Sequence, residues 1–417
     1  MHSKSIRGKQ EIEPEDLKKK IDNHENIFLL DVRTPEEYEA WKISYDKYVN
    51  PKLIPVDRLF VNDPVLLKEI PKDKEIVTVC AHGTRSLIAA NILNQLGYNV
   101  KSVKGGMAGW NKVYDVAEIP IPKEAPFKIW QIRRISKGCM GYIISSKEDK
   151  LAAVVDPSRE IYEAFLKTAK DNELQITKLL DTHQHADHVS GIVKLIKTIT
   201  TTETNVEQIF AYFSSLEEYD SSNSLLKNIE YVKDEDRIDI GNKVSLRAIY
   251  TPGHTNGSIS FLIEYTLSDN NNKNNINDKN LTHSYLFTGD TLFVDGVGRP
   301  DLRDQSVKFA ELLYDTYHKK ILQLPDDTVI LPAHFNGTSI ALKHTVPILE
   351  TLGTIKKKIK LLSMDKKEFI HYITDTVPPR PMNYRTIISI NKQMLPYDEI
   401  EMSDLEAGPN SCMISSE

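Results

Sequence analysis

Cysteine is scarce in this chain: three residues, Cys80, Cys139 and Cys412, stand far apart in 417. An odd number at such spacings implies no disulfide framework and fits a reducing, cytoplasmic setting. Long apolar runs are lacking as well. No stretch is long enough to span a bilayer, and residues 1–20 are polar and charged, without the apolar core of a signal peptide. Residues 4–7 have a transit-peptide character, but Glu11, Glu13, Glu15 and Asp16 follow too soon to support one. A surplus of positive charge is absent too: 53 Lys and Arg stand against 59 Asp and Glu, a net charge of −6. That balance argues against nucleic acid or an anionic membrane as partner. No internal repeat is visible. What remains, 40% hydrophobic and 27% charged residues, is the composition of an ordinary globular protein with length for two or three domains.

One break organises the chain. Residues 116–126 carry Pro120, Pro122 and Pro126 among small and charged residues, a composition that resists helix and strand and predicts a linker. The expected domains are 1–115 and 127–417. In the first, apolar runs at 27–30 and 76–79 are followed by helical patterns from Pro35 and Ser86, the second ended by Gly97. This is the rhythm of a parallel α/β domain. After the break, strand patterns at 140–145, 151–155, 244–250, 258–264 and 285–288 alternate with helices. Residues 268–280 are nearly all Asn, Asp and Lys and predict a disordered surface loop.

The densest chemistry is Thr182-His183-Gln184-His185-Ala186-Asp187-His188, behind a mostly apolar run at 176–180. Imidazoles two apart on an extended segment project to one side, so His183 and His185 can face one ion. Asp187 and His188 then fall where a helix is expected to begin, with Ile192, Val193, Leu195, Ile196 and Ile199 as its buried face. Neutral imidazole and carboxylate suit zinc or iron. Three further polar segments each end an apolar run: Thr251-Pro252-Gly253-His254, Thr288-Gly289-Asp290 and Pro332-Ala333-His334. Active sites of α/β proteins gather at such strand ends.

With Asp156 ending an earlier strand, these five segments in order resemble the metallo-β-lactamase superfamily, from about residue 127 to at least 334. The resemblance implies a four-layer αββα sandwich with the metal between the two sheets at one edge. Within the superfamily, residues 287–302 and Thr251-Pro252-Gly253-His254-Thr255-Asn256-Gly257-Ser258 look like persulfide dioxygenases, which are similar to glyoxalase II but bind one ferrous ion. The ligands this implies are His183, His254 and Asp290. His185, Asp187, His188 and His334 are then supporting groups or a second metal site, because every ligand of the binuclear hydrolase pattern is also retained. Spacing alone is compatible with either count. Two positions depart from the dioxygenases: Phe335-Asn336 stands for Asp-Tyr after the last His, and Val297 for the Cys of Gly-Cys-Gly-Arg. The segment from Pro378 through Arg380 to Tyr384, with a helical pattern at 387–392, looks like bacterial and archaeal members. The helical substrate domain expected of glyoxalase II is not visible. Lys356, Lys357, Lys358 and Lys360 read as a solvated helix face.

A second chemistry precedes the break. Cys80-Ala81-His82-Gly83-Thr84-Arg85 follows a buried strand and leads into a helix. A Cys there lies among inward N–H groups at the positive end of a helix dipole, which favours thiolate and an anionic substrate. Gly83 permits the tight curl, and Arg85 can hold an oxyanion by a two-pronged contact. The alternative is a buried structural Cys. With Leu29-Leu30-Asp31-Val32-Arg33-Thr34-Pro35-Glu36-Glu37-Tyr38 and Gly105-Gly106-Met107-Ala108-Gly109-Trp110, this region resembles a rhodanese domain from about residue 12 to 110. The six-residue Cys-to-Arg loop fits sulfurtransferases, and the resemblance implies a persulfide on Cys80. Asp31 and Arg33 read as structural. Residues 41–56 depart from the rhodanese pattern, replacing a short turn by a longer segment.

Together the resemblances imply a bifunctional enzyme of sulfur metabolism. One half oxidises a low-molecular-weight persulfide with dioxygen to sulfite and thiol, using Fe(2+). The other moves sulfane sulfur among thiosulfate, sulfite and thiols through Cys80 and Arg85. His82 is a substrate-binding candidate, and Arg299 is a candidate anchor for a supporting carboxylate or for an anionic substrate. The thiol is glutathione, coenzyme A or a similar carrier, and related dioxygenases are often dimers. The alternative is a Zn(2+)-dependent thioester hydrolase of the glyoxalase II type with the rhodanese unit as carrier module.

Overall fold

Five short strands before residue 104 pair in parallel, in the order Glu11–Ile12, Val100–Val103, Glu75–Val79, Ile27–Asp31, Lys52–Leu53. The computed structural model in which they are seen describes residues 10–415 apart from 49, 62–63, 203–207, 218, 220–225, 268–280, 303, 337–341, 381–382, 398–404 and 409. The expected polar loop at 268–280, residues 4–7, and part of the segment after Pro378 thus lie outside the described residues. The helix Pro35–Ala40 starts where its sequence directs: Thr34 and Glu37 form a capping box, with Pro35 in the first turn. The helix Thr84–Gln95 starts two residues before the pattern suggested, on Gly83 at φ +93.

The rest folds as two facing mixed sheets, and period-two alternation builds the layers. Met140, Tyr142 and Ile144 point with Leu246, Ala248, Phe261, Phe287 and Leu331 into the core between the sheets. Ile143, Ala152 and Val154 point the other way, onto the helices Tyr162–Asp171, Ile192–Thr202 and Tyr384–Asn391. Leu262, Leu286 and Ile330 likewise meet Ser306–Lys319, Leu352–Lys358 and Lys366–Asp375. This is the expected αββα sandwich, with sheets of seven and six strands. Each buried Leu, Ile or Phe of these layers stabilises by about 1.5–3 kcal/mol relative to exposure.

Residues 116–126 are not simply a linker. Their first residues belong to the strand Tyr114–Glu118, which extends the seven-stranded sheet by antiparallel pairing of Val116 with Ile132 and Glu118 with Trp130. The prolines begin only at Pro120, after the paired residues, so they do not interrupt the ladder. The two domains share one core: Leu17, Trp110 and Val113 are continuous with Phe127, Ile129 and Tyr142. Buried Asp115 fastens the boundary, 2.8 Å from Lys18 Nζ, 2.6 Å from His344 Nδ1 and paired with Arg133. Among the described residues no helix is long and apolar enough to cross a membrane.

Candidate metal centre and thiol loop

The strands Gln175–Leu180, Val244–Tyr250, Leu281–Gly289 and Val329–Pro332 deliver His183, His254, Asp290 and His334 to one edge of the sandwich. Gly289 has φ +54, and a side chain there would collide with Thr182 and crowd the His183 ring, so the approach requires glycine. Thr182 donates its hydroxyl to Asp156 at 2.9 Å and therefore accepts from His183 Nδ1, also at 2.9 Å. His254 Nδ1 donates to the Arg299 carbonyl oxygen at 2.9 Å. Both imidazoles are thereby fixed with the Nε2 lone pair free. Those two nitrogens lie 3.5 and 3.6 Å from Asp290 Oδ2.

His183 Nε2, His254 Nε2 and Asp290 Oδ2 are buried and have no hydrogen-bond partner. Leaving such atoms unpaired costs about 1–3 kcal/mol apiece, so the trio fits a cation and little else. All three atoms lie within 4.8 Å of one another. Their protonation suits this. Burial, reinforced by the neighbouring His183, pushes His254 down to about 3, keeping it a neutral donor. Burial opposes the charge on Asp290, but His334 and His183 beside it hold its carboxyl well below the usual range. Two imidazoles and one carboxylate are a donor set that would hold a zinc or ferrous ion.

His185 stands beside this trio, its ring centroid 4.2 Å from that of His183, and its Nδ1 is bare, as are His188 Nε2 and His334 Nε2. His185 Nε2 is 3.2 Å from Asp156 Oδ1 and falls in a different cluster, with Asp156 and Asp181. Asp187, His188 and His334 form another group, in which the carboxylates are largely occupied. His334 Nδ1 donates to Asp290 Oδ1 at 2.5 Å, His334 Nε2 is 2.9 Å from Asp187 Oδ2, and His188 Nδ1 is 3.1 Å from Asp187 Oδ1. Cys139 joins them, its sulfur 3.5 Å from Asp187 Oδ2. Cys412 approaches from the C-terminal side, within 4.8 Å of Asp187 and Asp290 ligand atoms. The two cysteines thus meet at the metal centre, which their spacing in the chain does not reveal. Asn391 was also missed: its side-chain amide donates to the carbonyls of His185 and His188 and accepts from Ser190 N–H.

Two expectations need correction. Arg299 is fully buried and its guanidinium is committed to Asp301 and to the carbonyls of Pro378, Pro379 and Ser411. It clasps chain segments, with Asp301 as its carboxylate partner, and has no N–H left for an anionic substrate. The helix after the His-rich loop begins at Ile192, not at Asp187, because the intervening backbone bonds elsewhere: Val189 N–H to Glu406 and the His188 carbonyl to Asn391.

In the first domain, Cys80 closes the central strand. Its sulfur accepts from Gly83 N–H at 3.1 Å. Met107 N–H holds the Cys80 carbonyl at 2.7 Å, and Gly106, at φ +58, leaves room that any side chain would fill. Arg85 is directed elsewhere than expected: Nη1 and Nη2 grip Glu37 at 2.7 and 2.6 Å, a two-pronged pair that ties the loop to the helix Pro35–Ala40. His82 is exposed on the loop's rim. Arg33 grips Asp31 as a structural pair.

A rhodanese-like domain profile matches residues 13–113, and a metallo-β-lactamase superfamily profile matches residues 138–266. The human mitochondrial persulfide dioxygenase is 26% identical over 251 residues, 60% of this chain and 82% of that protein. A hydroxyacylglutathione hydrolase of Francisella tularensis subsp. novicida is 32% identical over 183 residues, 44% of this chain and 58% of that protein. A metallo-β-lactamase crystal structure from Staphylococcus aureus is 26% identical with a TM-score of 0.53, covering 64% of this chain and 73% of that one.

Proposed function

For a chain that joins a rhodanese-like domain to a metallo-β-lactamase superfamily domain, we propose a bifunctional enzyme in which an iron-dependent persulfide dioxygenase is coupled to a sulfurtransferase. The observation that carries this is the trio of bare ligand atoms on His183, His254 and Asp290, grouped within 4.8 Å of one another. The reaction is R–S–SH + O2 + H2O → R–SH + H2SO3, in which the outer sulfur gives four electrons to dioxygen. Ferrous iron bound by the trio supplies the redox chemistry that brings sulfur and dioxygen together. The protein's part is to hold the ligands: Thr182 and the Arg299 carbonyl aim the two imidazoles, and His334 orients Asp290 through its second oxygen. Resemblance to the human persulfide dioxygenase supports the substrate class, with the glutathione or coenzyme A persulfide as the carrier form. Free, buried cysteines at positions 80, 139 and 412 support a reducing, cytoplasmic setting.

In the thiol loop, Cys80 attacks the outer sulfur of thiosulfate, Cys–S⁻ + S–SO3²⁻ → Cys–S–S⁻ + SO3²⁻, and a second nucleophile takes the sulfur away. The Gly83 N–H and the helix Thr84–Gln95 behind it favour the anionic sulfur in both forms.

A second reading is a zinc thioester hydrolase, favoured by the retention of Asp187, His188 and His334 beside the trio and by the hydroxyacylglutathione hydrolase relative. Anaerobic purification with metal quantification, followed by oxygen uptake on glutathione persulfide, decides between them. Iron with persulfide-dependent uptake supports the dioxygenase; a zinc pair with thioester cleavage and no uptake overturns it.

A further inference from the structure

Behind the Cys80 sulfur the structure holds two buried hydroxyls in series. Ser86 Oγ lies 3.4 Å from Cys80 Sγ, 3.1 Å from the Gly83 carbonyl oxygen and 2.8 Å from Ser102 Oγ. Cys80 is 1% exposed, and both serines are fully buried. Ser102 comes from the neighbouring strand Val100–Val103, where it pairs in register with Thr78 of the strand Glu75–Val79 that leads into Cys80. Thr78 in turn donates to the Ser86 carbonyl at 2.9 Å, fixing the start of the helix.

A hydroxyl has one proton to give. With Ser102 donating to Ser86, the single Ser86 proton is left to choose between the Gly83 carbonyl and the Cys80 sulfur. The choice follows the charge on sulfur. In the persulfide the inner sulfur is neutral and a poor acceptor, so the carbonyl wins. In the free thiolate the sulfur is the stronger acceptor, and the proton turns to it.

We propose that Ser86 is a catalytic hydrogen-bond donor that stabilises Cys80 as thiolate, with Ser102 as the positioning residue that orients it. This rests on the sulfurtransferase reading of Cys80. When a nucleophile such as cyanide removes the outer sulfur, Cys–S–S⁻ + CN⁻ → Cys–S⁻ + SCN⁻, the S–S bond breaks and its electron pair stays on Cys80. The Ser86 hydrogen bond strengthens as that charge develops. An interaction made with the product sulfur and not with the persulfide accelerates the discharge step selectively.

The test is Ser86→Ala and Ser102→Ala in the full chain, with two readouts. The first is the pH midpoint for alkylation of Cys80 by iodoacetamide. The charged groups about the loop are unchanged in the variants: Arg85 with Glu37, Arg33 with Asp31, and His82 on the rim. The second is single-turnover kinetics, separating loading by thiosulfate from discharge to cyanide. In Ser86→Ala the midpoint should move to higher pH and discharge should slow by about tenfold, the scale of one hydrogen bond to a charged group. Loading above the midpoint should stay near the wild-type rate. Ser102→Ala should shift both quantities the same way by less. Wild-type midpoint and discharge in a folded Ser86→Ala protein would overturn the proposal. If the wild type takes no sulfur from thiosulfate, the sulfurtransferase reading fails, and the alkylation midpoint alone then decides whether Ser86 stabilises the thiolate.

Discussion

The indole N–H of Trp41 donates to the carbonyl oxygen of Ser136 at 3.0 Å, across the boundary between the two domains. Trp41 lies in the stretch 41–56 where the chain departs from the rhodanese pattern, and the departure has a use. In the same stretch Asp46 N–H donates to the Leu342 carbonyl, and Tyr45, fully buried, packs edge-on against Trp110 with its hydroxyl 2.6 Å from Asp22. Ser136 sits in the turn that ends at Cys139, beside Asp187. One short helix therefore reaches both chemistries: Glu37 within Pro35–Ala40 grips Arg85 of the thiol loop, and Trp41 at its end grips the turn beside the metal centre. Trp41→Phe keeps the bulk and removes the donor. It should lower unfolding free energy by about 1 kcal/mol, measured by denaturant titration; no change would mean that the bond does not fasten the domains.

The Arg85–Glu37 pair makes the first domain sensitive to acid. The Arg85 guanidinium beside Glu37 holds its carboxyl down at about 2. A carboxyl depressed in the folded state contributes stability above its ordinary value, near 4.5, and that contribution fades as pH falls toward 2. Both side chains are about a third exposed, 36% and 35%, so solvent screening reduces the contribution to about 1 kcal/mol. Glu37→Gln retains the capping contacts and loses the charge. The variant should be less stable than wild type at pH 6, with the gap closing as both are titrated from pH 5 toward pH 2. A gap that stays constant across that range would remove the ion pair as its cause.

Much of this was legible in the chain, for physical reasons that also mark the limits. Four strong ligands between His183 and His188 cannot be hidden by context, and the strands announce themselves because their period-two faces are both buried. Side-chain pairing over distance is a different matter. Arg85 and Glu37 are 48 residues apart, so an arginine in a thiol loop reads as an anion holder when it is in fact spent on a carboxylate. Arg299 misleads similarly: it lies two residues from Asp301, but its carbonyl partners come from Pro378, Pro379 and Ser411. Cys139 and Cys412 read as unrelated because only the closed fold brings both to Asp187.

The metal trio makes a prediction that separates the ligand counts. His254→Ala and Asp290→Ala each delete one of the bare atoms, and each should reduce iron from about one per chain to near none while sulfur transfer through Cys80 persists. His185→Gln should keep most of the iron, because His185 Nε2 is engaged by Asp156 and its ligand atom groups with Asp156 and Asp181 although Nδ1 is bare. Metal quantification after anaerobic purification of the three variants checks this. Iron loss in His185→Gln equal to that in His254→Ala would place His185 among the ligands and undo the two-histidine, one-carboxylate assignment.

Asn391 offers a test of how the ligand loop is held. Its amide nitrogen donates to the carbonyls of His185 at 2.9 Å and His188 at 3.0 Å, while its oxygen accepts from Ser190 N–H at 2.9 Å. The helix Tyr384–Asn391 thus clamps the loop from the far end of the chain. Asn391→Ala leaves buried loop groups unpaired and should cost about 2–3 kcal/mol. Asn391→Asp keeps the acceptor for Ser190 but turns an oxygen toward two carbonyls, so repulsion replaces both donated bonds. The aspartate variant should therefore be the less stable of the two despite its closer shape, and both should release iron faster to a chelator than wild type. Thermal melting and chelator-release rates measure the pair; an aspartate variant as stable as wild type would show that the loop is held without this clamp.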